Sequence, residues 1–244
     1  MIGSLAHQSY WDTAYETMGF SVAAPADPLR ELIERQVCAG RGDCLEVGCF
    51  PGRYLSVIGG LGYELSGIDL TPRTSSDLPR WLSSQGHRVG EFHQADFMTF
   101  DFRRRFDLVC SFGFIEHFAE WELALRRHAA LVGPGGRLIV TVPNFRGGVQ
   151  YWLHRALDEE NLRRHNVAAM NPAAWNAVLA ELGFTIDWSG YFGRFAFWVD
   201  EQPRNRLQRA AVRTVRTLSR ALRALPYGHP SYTPYAGVVA TRAS

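Results

Sequence analysis

Lysine is absent from the 244-residue sequence, and all 26 basic residues are arginine. We draw no function from that bias. No apolar run approaches the roughly 20 residues that a membrane-spanning helix needs. The start, MIGSLAHQSYWD, lacks the basic-then-apolar order of a secretory signal. A cytoplasmic protein is therefore expected. Cysteine is scarce: Cys38, Cys44, Cys49 and Cys110 form no CxxC pair, so reduced packing residues are expected rather than zinc ligands or disulfides. Internal repeats and low-complexity tracts are also missing. What is present is an ordinary composition, 46% hydrophobic and 20% charged, which argues against wholesale disorder and fits a single domain over 1–244.

Charge is unevenly spread. Residues 1–200 carry 18 arginines against 23 acids, whereas 201–244 carry 8 arginines against one acid. Along the chain, helical spacing at Pro28–Ala39, with Asp27 as N-cap, precedes the short apolar run CLEVG (44–48) and a helix from Tyr54 to Leu61. The strand YELSGIDL (63–70), a helix over 77–85, the strand EFHQAD (91–96) and the apolar strand FDLVCSF (106–112) follow. A helix from Phe118 to Leu131 stops at the turn PGG (134–136), ahead of a strand over 136–144. After about 25 mixed residues come a helix (172–182) and strands at 184–192 and 236–242. Strands that are nearly all apolar and alternate with helices imply a parallel sheet covered on both faces. The expectation is a doubly wound, Rossmann-like α/β fold of seven strands, mostly parallel, with an antiparallel C-terminal pair at the sheet edge.

Ligands of such sheets sit beyond the carboxyl ends of the strands. The loop Gly48-Cys49-Phe50-Pro51-Gly52, with Glu46 before it, lets backbone approach a ligand. Asp69 ends the second strand and Asp96 the third. A glycine-rich first loop with an acid about 20 residues on suits any nucleoside site, and either aspartate is also a fit turn or N-cap acid. LEVGCFPG, GIDL, QADF, FDLVCSFGFIEHF and LVGPGGRLIVTVPN, in that order, resemble the motifs of class I S-adenosylmethionine-dependent methyltransferases over roughly residues 40–145. The resemblance implies S-adenosylmethionine as cofactor, with Glu46, Gly48, Cys49, Phe50 and Gly52 at the first loop. It places Asp69 and Leu70 at the ribose, Asp96 and Phe97 at the adenine, and Ser111 and Phe112 at the fourth strand. Phe50 stands where the family has its middle glycine, which calls for a wider loop there. A sulfonium cation suits carboxylates, whereas a pyrophosphate would attract arginines. The loop also lacks the GxGxxG of nicotinamide-dependent oxidoreductases, the different-class alternative beside a non-catalytic binding module. Tyr10, Trp11 and Tyr15 lie in an N-terminal segment, 1–25, that folds over the cofactor in similar enzymes; packing of a surface helix is the other reading.

A hydroxyl acceptor needs a base. His117, five residues beyond the fourth strand, stands where similar ubiquinone-biosynthesis O-methyltransferases carry a Glu-His pair. His165, in DEENLRRHNVAAMNP, is the second candidate. Glu116, Asn144, Glu160 and Asn166 are candidate acceptor ligands, and no metal is expected because the spacing matches no metal motif. His93 and His128 read as structural. The segments NFRGGVQYWLHRALDEENLRRHN and GYFGRFAFW are similar to methyltransferases encoded among bacterial surface-polysaccharide genes, which implies a saccharide hydroxyl as acceptor. A small aromatic, quinone or amine is the runner-up. Finally, Arg206, Arg209, Arg213, Arg216, Arg220 and Arg223 lie opposite Leu207, Ala211, Val215, Leu218, Leu222 and Leu225 in a basic amphipathic helical insertion, 201–226. Three docking partners suit it: the protein's own core or a second subunit, an anionic membrane at the inner face, or a polyanion. Nucleic acid is set aside because no aromatic platform accompanies the helix.

Overall fold

Along the central strands successive side chains point to opposite faces, and both faces are buried. Leu45, Val109, Leu138 and Val140 enter one core, while Cys44, Leu108, Cys110 and Ile139 enter the other, all at 0–1% exposure. Such two-sided burial demands helices above and below. The computed structural model describes residues 3–200 and 202–244. Met1 and Ile2, in the segment 1–25, and Glu201, in the insertion 201–226, lie outside the described residues.

The elements are α1 (Gln8–Glu16), α2 (Pro28–Gln36), β1 (Asp43–Val47), α3 (Arg53–Gly60), β2 (Glu64–Asp69), α4 (Arg73–Ser84), β3 (Val89–Gln94), β4 (Phe106–Phe112), α5 (Trp121–Ala130), β5 (Val132–Pro143), α6 (Gly148–Leu157), α7 (Glu159–Arg163), α8 (Pro172–Glu181), β6 (Phe184–Phe192), α9 (Arg206–Leu222) and β7 (Tyr235–Arg242). The seven strands run in the order β3-β2-β1-β4-β5-β7-β6. Chain order reverses between β1 and β4, which makes their carboxyl ends the switch point where ligands bind. β7 alone opposes the rest, pairing antiparallel with both β5 and β6. The expected antiparallel C-terminal pair is present at the sheet edge, with β7 inserted between β5 and the outermost strand β6.

Several boundaries differ from the sequence reading for local reasons. Asp27 caps α2 by accepting from Leu29 and Arg30, but the helix stops at Gln36 because Val37 is extended. The residues before α5 form a short 3-10 turn, Ile115–His117, and Ser4 bridges to Phe118, so α5 starts only at Trp121. The PGG turn lies inside β5, where the register with β4 slips between Phe106 and Leu108. Asp96 sits two residues past β3, in the following turn. α6 and α7 fill the stretch left unassigned.

α9 opens with a capping box between Asn205 and Gln208. Its apolar side packs on the protein's own chain: Val212, with Ala211, Val215 and Leu222, meets Leu153, Leu157, Phe195 and Phe197. Leu207 and Leu218 stay outside, 82% and 52% exposed.

Candidate functional site

Two clefts open side by side over the strand ends. The first, with a free volume of about 750 Å³ including its mouth, is walled by Gly48, Ile68, Asp69, Leu70, Ala95, Asp96, Phe97 and Phe114, with Trp11 and Tyr15 from α1 above. Asp69 is held by its own turn and by the first loop. Thr71 N–H donates to Oδ1 at 2.9 Å and Phe50 N–H to Oδ2 at 3.3 Å. Burial pushes its carboxyl above the ordinary range, and these N–H bonds pull it back. Asp96 accepts from Met98 N–H at 2.9 Å. The turn-acid geometry is thus present in both residues, and both still face the cleft. Gly48 has φ +69°, and a Cβ there would stand 2.7 Å from the Phe114 ring. Only glycine supplies that conformation and that clearance.

Glu46 lies one layer below the loop, 3% exposed, with Oε2 lacking a partner among the described residues. Burial and the nearby Asp69 charge hold its carboxyl well above its ordinary value, against a bond from the Leu55 backbone. It does not line the first cleft. Cys49 presses its Sγ toward Gly67, and Gly52 caps α3 against Leu78 at φ +80°. Phe50 is buried, 3% exposed. Its ring turns under the N-terminal segment, 5.1 Å from Tyr15 and 5.6 Å from Phe20, with the Arg73 guanidinium 5.2 Å above it. Arg73 in turn donates to Tyr15 O and Met18 O, which fastens that segment over the sheet.

The second cleft, about 860 Å³ with its mouth, is walled by Tyr10, Tyr54, Phe112, Glu116, Phe145, Arg164, His165, Trp198, Asp200 and Tyr235. Trp11, Tyr15, Gly113 and His117 border both clefts and form the partition. His117 Nδ1 lies 3.0 Å from Arg164 O. A carbonyl only accepts, so Nδ1 carries the proton and Nε2 keeps its lone pair. Burial lowers this imidazole to about 4. His165 repeats the arrangement, with Nδ1 donating to Asn161 O at 2.7 Å, and burial lowers it too. The two rings stand 4.6 Å apart. Beside them Glu116 is fully buried, neither carboxyl oxygen has a partner among the described residues, and burial raises it to about 8. Ligating atoms of Glu116, His117 and His165 lie within 4.8 Å of one another, so these three are the residues a cation would find.

Some expected ligands are placed elsewhere. Phe112 and Tyr10 belong to the second cleft, and Tyr10 OH donates to Asp200 at 2.8 Å. Ser111 is fully buried and lines neither cleft. Three acceptor candidates are also corrected. Asn144 is fully buried and consumed by loop contacts, donating to Pro230 O and Thr233 O and accepting from Gly147 N–H. Asn166 is likewise occupied, donating to Phe118 O and Ala119 O and accepting from Ala168 N–H. Glu160 is exposed on α7 and reaches neither cleft. The structure adds Gly113 and Phe114, which the run SFGF (111–114) at the end of β4 could have flagged. It also adds Tyr54, Arg164, Trp198, Asp200 and Tyr235, for which nothing local in the sequence gives a signal.

The first cleft suits a cationic nucleoside. Among the described residues its lining holds two carboxylates and mostly apolar or aromatic walls with no arginine, whereas a pyrophosphate would need cations. Comparison with known proteins agrees. A family profile described as a methyltransferase domain matches residues 22–188. The ubiquinone biosynthesis O-methyltransferase of Aromatoleum aromaticum is 28% identical over 143 residues, which is 57% of this chain and 59% of that protein. The match therefore spans about three fifths of that relative's length. Among solved structures, a methyltransferase from Bacillus halodurans superposes with a TM-score of 0.59 at 18% identity, over 88% of this chain and 99% of the other. The N-methyltransferase NodS from Bradyrhizobium japonicum, in complex with S-adenosyl-L-homocysteine, gives 0.51 at 14% identity, over 88% and 84%. With the profile covering more than half of its residues and the sheet order and strand-end acids in agreement, the chain belongs to the class I S-adenosylmethionine-dependent methyltransferases.

Proposed function

We propose that the protein is an O-methyltransferase that transfers the methyl group of S-adenosylmethionine to a hydroxyl of a saccharide or glycan-linked acceptor. One observation carries this reading: on the wall between the two clefts stands an imidazole held neutral, with its lone pair left available by the carbonyl on its other nitrogen. Methyl transfer is an in-line displacement, and it asks the protein mainly to align three atoms and to accept one proton.

The cofactor, when bound, supplies a methyl group on a positively charged sulfur. Asp69 and Asp96 hold the nucleoside, and the Gly48 backbone gives it room. Trp11 and Tyr15 cover it, and segment 1–25 acts as a lid fastened by Arg73. His117 Nε2 takes the hydroxyl proton as the oxygen attacks. His165, with its own tautomer fixed, is the alternative base. Glu116, neutral at pH 7, offers an O–H donor or acceptor to the acceptor's other oxygens.

A second reading has its own support. The acceptor cleft is walled by Tyr54, Phe112, Phe145, Trp198 and Tyr235, and the relative named above acts in ubiquinone biosynthesis, so a small aromatic or quinone acceptor fits the same chemistry. The deciding experiment is transfer of labelled methyl from S-adenosylmethionine to panels of glycans, glycan precursors and phenols, with the product linkage read by mass spectrometry. A methyl ether on a sugar is the expected product. Methylation confined to phenols selects the second reading, and an N-methyl or S-methyl product overturns both.

A further inference from the structure

The positive charge of this chain gathers on one flank of α9. With Ala211, Val212 and Val215 turned to the core, Arg209, Arg213 and Arg216 fall on a single side over two helical turns, about 10 Å of rise. This flank lines a groove together with Val199, Asp200, Gln202, Pro203 and Arg204, and Asp200 also borders the second cleft. Arg204 is already committed, pairing with buried Asp158 at 2.8 Å and donating to Leu157 O at 3.0 Å. Asp200 is committed as well, to Arg164 and Tyr10. Among the described residues, no carboxylate lies within 4.0 Å of the guanidinium groups of Arg209, Arg213 or Arg216. Among the described residues, Arg213 and Arg216 thus offer planar donors with no side-chain partner, while Arg209 donates to Arg204 O, in a groove that shares Asp200 with the second cleft.

We propose that this groove binds the phosphate or diphosphate of the methyl acceptor, whose saccharide end reaches past Asp200 into the second cleft. The inference rests on the reading of that cleft as the acceptor site. Guanidinium groups match phosphate oxygens in geometry as well as charge. A membrane surface is the weaker fit. A helix lying on a bilayer presents its apolar side to the lipid, but α9 spends that side on Leu153, Leu157, Phe195 and Phe197. The leucines it leaves outside, Leu207 and Leu218, sit on the flank opposite these arginines, by 100° per residue.

The test is calorimetric titration of the whole chain with inorganic pyrophosphate. Saturable binding is expected, weakened at least about tenfold in Arg213→Ala/Arg216→Ala by loss of two charge-assisted contacts. Arg213→Lys/Arg216→Lys should fall between, and the exposed-site control Arg155→Ala/Arg163→Ala should bind as the unaltered protein does. S-adenosylmethionine affinity, read on the same samples, should stay constant across all four. Uridine diphosphate binding more tightly than pyrophosphate would assign a nucleotide-linked acceptor. Pyrophosphate-competed binding to vesicles containing a polyprenyl diphosphate would assign a lipid-linked one. The inference is overturned if pyrophosphate shows no saturable binding, if the alanine pair binds it unchanged, or if phosphatidylglycerol vesicles are bound and pyrophosphate is not. Methyl transfer to neutral sugars without anion binding removes this inference and leaves the O-methyltransferase reading. Anion binding that needs Arg213 and Arg216, with no hydroxyl methylated, removes that reading instead.

Discussion

The two clefts share a wall but are built by opposite means. In the cofactor cleft the acids follow strand ends and are gripped by backbone N–H groups, Thr71 and Phe50 on Asp69 and Met98 on Asp96. In the second cleft two imidazoles are gripped by backbone carbonyls, Arg164 O on His117 and Asn161 O on His165. Donors around a carboxylate favour its charge, whereas a carbonyl on one imidazole nitrogen fixes which nitrogen keeps the lone pair. On the proposed reading the first cleft holds a cation and the second accepts a proton.

The sharpest way to break this contrast is His117→Ala. Turnover should fall about 10²–10⁴-fold, the usual worth of a positioned base, while cofactor affinity measured by calorimetry stays close to that of the unaltered protein. Near-normal turnover would move the base to His165. The reciprocal change, Asp69→Ala, should weaken S-adenosylmethionine binding roughly 10–100-fold through lost charge-assisted hydrogen bonds. At saturating cofactor its turnover should be largely preserved, and a large loss there would mean the clefts are not separable.

Acidity sharpens the contrast further. The folded value of His117 is depressed to about 4, so the acid limb of the rate profile should lie near there and not near the ordinary value of 6.5. Its contribution to stability is complete above 6.5 and is lost as pH falls toward 4. Glu116 has the opposite sign. Its folded value is raised to about 8 from 4.5, so its contribution is complete below 4.5 and is lost as pH rises through 8. Thermal melts of Glu116→Gln should therefore fall less steeply with pH across that window, and an unchanged slope would count against a buried neutral Glu116. The smallest effect is expected from a chelator. If His117 Nε2 is the base, its lone pair is not engaged by a cation, and EDTA leaves the rate unaltered. Inhibition reversed by added divalent cation would reassign Glu116, His117 and His165 to metal binding.

The cofactor cleft was legible in the sequence because a parallel sheet puts its ligands at strand ends, where Gly48, Asp69 and Asp96 could be counted off directly. Ser111 failed that logic because it lies within β4, where its side chain is fully buried and reaches neither cleft. The second cleft was legible at Glu116, His117 and His165. Asn144 and Asn166 have suitable chemistry, but a sequence shows residue type and not whether the amide is already spent on neighbouring backbone. α6 escaped notice because its inner side carries Gln150 and His154, the latter paired with buried Asp158, so its buried face reads as polar. Tyr54, Trp198 and Tyr235 meet only through tertiary structure, and no local spacing announces them.

The placement of β7 constrains the order in which the molecule can assemble. During synthesis the free side of β5 must wait while the stretch from Asn144 to Pro234 emerges, and β6 has no sheet partner until Tyr235–Arg242 arrives between them. The residue that opens this closing strand, Tyr235, also walls the acceptor cleft. Nascent chains should thus complete the walls of the first cleft well before those of the second, with an unpaired strand flank exposed to other chains in the interval.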